Sequence, residues 1–217
     1  MCLGWIFYRS PSVPWSAQEI QEYEELYSAA VSGHSDILYT SKYPKYRFIQ
    51  YIAGSKPVRL HGSNRKDITE FQPRLQTLFN GQYVEAVFAT RDSVWALFYA
   101  VFDRAKLEGN FRNACLTVKG DTSRYYFFSL TRATADRNPW TEGMVYILPD
   151  ASFTHTSDGI VSFDEWTSSE PVTPLTRLSV KPQDFYWMDK VSCHKPRELV
   201  LISWLLYKSR VRWGRNE

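Results

Sequence analysis

The sequence predicts an α+β fold, and three observations carry that reading. Six short runs rich in β-branched and aromatic residues, punctuated by Gly, Pro and Asp, occupy the middle of the chain. Helical apolar patterns stand at both ends and once between the runs. The spacing of the runs is too irregular for a repeated βαβ array with a parallel sheet.

Residues 16–31 place Ile20, Tyr23, Leu26, Tyr27 and Ala30 at helical spacing, and Ser16 with Glu19 three residues later is a capping-box signature. Gly33 and a polar stretch end that helix. The aromatic segment 43–51 reads as an irregular or short helical connection. Strands are expected over 58–61, 86–90, 115–119, 125–130, 145–148 and 175–180. Among them, 92–104 is the strongest internal helix: Val94, Trp95, Leu97, Phe98, Val101 and Phe102 form a broad apolar stripe behind an Asp92 or Thr90 cap. Residues 196–213 start on Pro196 and continue through Leu199, Ile202, Leu205 and Leu206, which predicts a packed C-terminal helix with a basic end. Residues 1–56 are read as a helical extension packed on the core and 57–217 as the principal domain, one globular unit without repeats.

Composition narrows the class. With 217 residues, of which 44% are hydrophobic, and a net charge of only +3, the chain can bury a core without disulfides or metals, which excludes disorder. The longest apolar run, 199–207, contains Ser203 and falls short of the roughly 18 to 20 residues that cross a bilayer. Residues 1–8 are apolar, but Arg9, Pro11 and Pro14 interrupt them before a signal-peptide core forms. A cytoplasmic location without membrane partners is therefore expected. Cys2, Cys115 and Cys193 are odd in number and lack CxxC spacing, so no metal site is expected; Cys193 beside His194 does not orient an imidazole toward a thiolate.

Three segments could carry chemistry. In Arg59-Leu60-His61-Gly62-Ser63 a strand ends in an imidazole, a glycine and a hydroxyl. Glycine admits a planar ligand close to the backbone, whose N–H and C=O can bond both edges of a carboxamide, and His61 can reach a sugar hydroxyl. A plain strand-end turn would carry the same residues. In Val87-Phe88-Ala89-Thr90 and the helix after it, Phe88 or Phe98 could stack on a flat heteroaromatic ring, or simply pack in the core. Glu165 and Glu170 stand among small hydroxylated residues before the 175–180 strand, where a carboxylate could stabilise positive charge on a sugar ring.

In this order and at these intervals the segments resemble the ADP-ribosyltransferase superfamily, which includes the poly- and mono-ADP-ribosyltransferases. His61-Gly62-Ser63 matches its first motif closely; residues 87–100 and Ser168-Ser169-Glu170-Pro171-Val172 are similar to its second and third. The likeness spans roughly 58–180. It implies a split β-sandwich of two small antiparallel sheets with flanking helices, enclosing a cleft for NAD as substrate. It implies further that Gly62 and Ser63 hold the nicotinamide amide, that His61 contacts a ribose, that Phe88, Thr90 and Phe98 complete the NAD-contacting set, and that Glu170 and His61 are the catalytic pair, with Glu165 the other choice of carboxylate. Where many relatives carry tyrosine in the second motif, this chain offers Val87 or Phe88. Ser168 stands where some relatives place an acidic or amide residue that engages the acceptor, so the acceptor stays open among protein, nucleic acid, small molecule and water.

Two other readings stand beside this one. RNA 2'-phosphotransfer also uses NAD, and Arg59, Arg65, Arg74 and Arg91 could surround a phosphate. A non-catalytic nucleic-acid or protein binding module could use Tyr186 and Trp187 with the C-terminal cations Lys208, Arg210, Arg212 and Arg215, which could equally complement a helix dipole.

Overall fold

The computed structural model describes residues 3–11, 14–77, 81–156 and 159–214; Cys2 and Arg215 lie outside them. In chain order the elements are α1 (Leu3–Ile6), β1 (Tyr8–Arg9), α2 (Ala17–Ser32), α3 (Lys45–Ser55), β2 (Val58–Ser63), β3 (Arg74–Thr77), β4 (Tyr83–Ala89), α4 (Ser93–Val101), β5 (Phe111–Val118), β6 (Asp121–Thr131), α5 (Arg132–Asp136), β7 (Gly143–Pro149), β8 (Thr154–His155), β9 (Val161–Phe163), β10 (Trp166–Ser168), β11 (Thr176–Val180), β12 (Ser192–His194) and α6 (Val200–Trp213). The class is α+β. Three small sheets form instead of the expected two: β11-β7-β2, β3-β4-β10-β8, and β1-β6-β5-β9 with β12 added parallel to β6. The other strand pairings are antiparallel. The first two sheets meet at one bridge, where Leu60 N–H donates to Thr90 O at 2.8 Å and Thr90 N–H returns to Leu60 O at 2.9 Å.

Ser16 starts α2 as the sequence signature requires, its Oγ accepting from the Glu19 N–H at 3.1 Å while Glu19 accepts from the Ser16 N–H. Glu19 is buried and bonded by Arg47 of α3, whose guanidinium holds its carboxyl below the usual range against the opposing effect of burial. That contact pins the two helices together. The 43–51 segment is therefore no loose connection: α3 buries Phe48, Ile49, Ile52 and Ala53, and packing overrides the weak helix propensity of its aromatic residues.

The core gathers around α4. Eight of its nine residues are buried, and Asp92 caps it by accepting the Trp95 N–H at 2.7 Å. The helix lies so close to the first sheet that a Cβ on Gly62 would fall 1.9 Å from Ala96 O, and one on Gly143 1.8 Å from Ala100 O. Only glycine permits that approach. Tyr23, Phe48 and Ile52 from the first two long helices join α4 in one cluster with Phe128, Val145 and Leu178.

The C-terminal helix forms, but with its apolar side chains turned out. It buries Ser203, Tyr207 and Val211, while Leu199, Ile202, Leu205 and Leu206 are 70, 42, 62 and 41% exposed. The inner face is held by polar anchors: Arg210 grips Glu198 at 2.6 and 2.7 Å, and Tyr207 Oη donates to Lys190 O at 2.7 Å. The expectation of a packed leucine stripe is thus corrected. No helix among the described residues is long and apolar enough to cross a membrane.

Candidate active site

The site exists because β4 shares one edge between two partners. Its Ala86 pairs with Arg74 of β3, Thr90 just past its end bonds Leu60 of β2, and β10 occupies the opposite edge. Backbone groups alternate with a period of two, so the N–H and C=O of Phe88 face the gap between β3 and β2. By the same period those of Gly62 project on the side of Leu60, away from β7 and toward β4. No ladder closes there. The Phe88 carbonyl instead accepts His61 Nδ1 at 2.7 Å. The result is a cleft of about 710 Å³ lined by His61, Gly62, Ser63, Phe88, Thr90, Tyr99, Arg74, Arg104 and Glu165, among others.

His61 must carry its proton on Nδ1 to bond a carbonyl, which leaves Nε2 as an acceptor. Burial pushes its pKa below the ordinary histidine value; Arg104 and Arg74 add to the effect and the Phe88 bond opposes it. The ring rests on Phe71 at 4.5 Å. Ser63 Oγ accepts the Arg65 N–H at 3.1 Å, a turn that leaves its O–H to donate. Val87 belongs to a small core with Phe71, Met144 and Tyr146, whereas Phe88 is half-buried at the cleft wall, so Phe88 is the ring this strand presents. Thr90 lines the cleft, but its hydroxyl donates to Asp164 at 3.1 Å and accepts the Asp92 N–H, a structural role.

Two expected residues lie elsewhere. Phe98 is fully buried, stacked on Phe102 at 5.3 Å and packed on Phe128 at 4.8 Å, and does not line the cleft. Its neighbour Tyr99 does, half-buried, with Oη donating to Asn113 Oδ1 at 3.0 Å. Burial raises its pKa. Nothing in the sequence sets its hydroxyl apart, since Trp95 on the same helix also carries a polar tip, and its Nε1–H donates to the same Asn113 Oδ1. Glu170 is exposed in the turn after β10 and is absent from the lining, because the chain leaves the strand at Ser168 to bridge Val172 with Phe71. The carboxylate in the cleft is Glu165, immediately before β10, whose Oε1 accepts Thr156 Oγ1 at 3.4 Å.

The segment bearing Glu165 is fixed from behind. Buried Asp164 accepts Thr90 Oγ1, the Arg91 N–H, Arg124 Nε at 3.2 Å and Trp166 Nε1 at 3.0 Å. Arg59 is buried under Trp166, its guanidinium 3.8 Å from the ring centre and 3.5 Å from Asp150. Of the four arginines suggested for a phosphate, Arg65 and Arg74 line the cleft and Arg59 and Arg91 do not. Arg104, which the sequence did not single out, lines it as well, over the Tyr99 ring at 5.2 Å. Arg74 and Arg104 make no ion pair among the described residues. Nor does any group of three or more His, Cys, Asp or Glu there form a metal site. Of the cysteines, Cys115 is buried and Cys193 half-buried, both as free thiols.

Comparisons with protein-family models, with curated proteins and with solved structures found no match.

Proposed function

We propose that the cleft binds NAD and that the protein is an ADP-ribosyltransferase, with the split β-sandwich of that superfamily. One observation carries the reading: His61, the Gly62 edge, which has no backbone partner on that side among the described residues, the Phe88 ring and the Glu165 carboxylate converge on one cavity of suitable size. The Gly62 N–H and C=O offer a donor and an acceptor to the nicotinamide amide, and Ser63 Oγ a further donor. Phe88 and Tyr99 supply flat surfaces for the pyridine ring. His61 Nε2 accepts from a ribose hydroxyl. Arg74 and Arg104 bring positive charge to the phosphates.

The bond between nicotinamide and ribose C1 breaks with its electron pair leaving on neutral nicotinamide, so C1 gains oxocarbenium character. Glu165, held by the Asp164 network, stabilises that charge more in the transition state than in the ground state. An acceptor nucleophile then bonds C1 and releases its proton to the carboxylate or to water.

Nicotinamide release from NAD tests the assignment. Glu165→Gln should lower turnover about 10² to 10³-fold, roughly 3 to 4 kcal/mol, while Glu170→Gln stays close to wild type. The reverse ranking would return the role to Glu170, and unchanged release in both would remove the reaction from this cleft. RNA 2'-phosphotransfer is the second reading, favoured by the three arginines Arg65, Arg74 and Arg104 in the lining. Formation of a cyclic ADP-ribose phosphate from 2'-phosphorylated RNA and NAD would select it.

A further inference from the structure

We propose that the outer face of α6 docks flat on an anionic lipid bilayer. The inference is independent of the cleft. At 3.6 residues per turn the buried Ser203, Tyr207 and Val211 fall on one side of the helix. Leu201, Ile202, Leu205, Leu206 and Trp213 fall on the other, 62, 42, 62, 41 and 74% exposed. Leu201, Ile202, Leu205 and Leu206 are neighbours at i, i+1, i+4 and i+5, and Ser209 and Arg212 lie between them and Trp213. An exposed apolar cluster rimmed by polar residues marks an interaction site.

Charge selects the occupant. No Asp or Glu occurs from 199 to 214, and Glu198, just before the helix, is held by Arg210. Lys195, Arg197 and Arg212 are exposed and make no ion pair among the described residues. A second copy seated on this face would set these cations against their own kind. Anionic headgroups would neutralise them while acyl chains receive the leucines, the arrangement of an interfacial amphipathic helix. Tryptophan favours that boundary, and Trp213 stands at one end of the helix. A second, Trp5, is 84% exposed on α1, which is tied to α6 by Lys208 Nζ donating to Gly4 O.

The test is sedimentation of the full chain with vesicles of phosphatidylcholine, alone or mixed with phosphatidylglycerol. Binding to the mixed vesicles, weaker to the neutral ones and falling with added salt, is the expected result. Leu201→Glu/Leu205→Glu should lower the partition constant at least about tenfold, since two leucine side chains no longer enter the apolar layer. Both positions are exposed, and circular dichroism checks that the fold survives; Trp213→Ser is a second, milder variant. Equal binding of wild type and both variants, or no binding to anionic vesicles, overturns the proposal. So does a dimer in light scattering that Leu205→Glu dissociates, which would give the face to a second copy.

Discussion

Helices α4 and α6 are written in nearly the same alphabet and end in opposite surroundings. Both contain Leu, Val, Trp and Tyr, yet α4 buries eight of nine residues and α6 three of fourteen. The difference is in what each finds to pack against. Gly62 and Gly143 let the first sheet close on one side of α4, the phenylalanines of the main core fill another, and Trp95, Ala96 and Tyr99 turn to the cleft. The last helix is fastened by Glu198, Arg210 and Tyr207, and its leucines Leu201, Leu205 and Leu206 stay 62, 62 and 41% exposed. Apolar composition sets how much surface must be covered; it does not say by what.

The most damaging way to probe the contrast is Phe98→Ala. The ring touches Phe102, Phe128, Phe185 and Trp140 and has no solvent exposure. Truncation should cost about 3 to 5 kcal/mol through lost burial and the cavity left behind, measured by urea unfolding. If Phe98 instead stacked on a ligand, the variant would lose NAD affinity with little change in stability.

The contrast also explains what was legible in the sequence. The capping box at Ser16, the Asp92 cap and the six main strand runs are local signals, and each appears in place. Short edge strands such as β8, β9 and β10 have two or three residues, too few to show a period of two. That is why the choice between Glu165 and Glu170 could not be made from the sequence: β10, which Glu165 precedes, leaves no pattern. His61, Gly62, Ser63 and Phe88 were legible because a motif names them. Tyr99 and Arg104 were not, because their place depends on how α4 crosses the sheet. The structure gives Gly62 a packing reason to be glycine, the approach of Ala96, that no reading of the motif alone would reveal.

Acid should loosen the α6 side of the molecule, by a smaller amount. Arg210 above all, then Ser203, holds the Glu198 carboxyl down from 4.5 to about 2 against burial. Depression of an acid's pKa on folding stabilises above the unfolded value, so this contribution is lost as pH falls from 4.5 toward about 2. His194 is lowered from 6.5 to about 4, chiefly by burial and then by Arg112. It stays neutral in the fold while the unfolded chain takes up a proton, so stability also falls from pH 6.5 to about 4. Each group contributes a slope of at most about 1.4 kcal/mol per pH unit. Melting temperature against pH should therefore decline in two stages, and Glu198→Gln should flatten the lower one. Parallel curves would mean that Glu198 is no anchor of α6.

The smallest effect is the sharpest test of the comparison. A buried leucine truncated to alanine costs about 2 to 5 kcal/mol, and Leu97 of α4, with no exposure, belongs to that class. Leu205, although chemically identical, is 62% exposed and touches little. Leu205→Ala should shift stability by no more than about 0.5 kcal/mol, since surface substitutions away from caps and networks do no more, and alanine is the better helix former. Urea midpoints at two protein concentrations would read the result. A loss of 2 kcal/mol or more that grows with concentration would mean that α6 is covered by another copy of the chain, and that its bareness beside α4 belongs only to the isolated monomer.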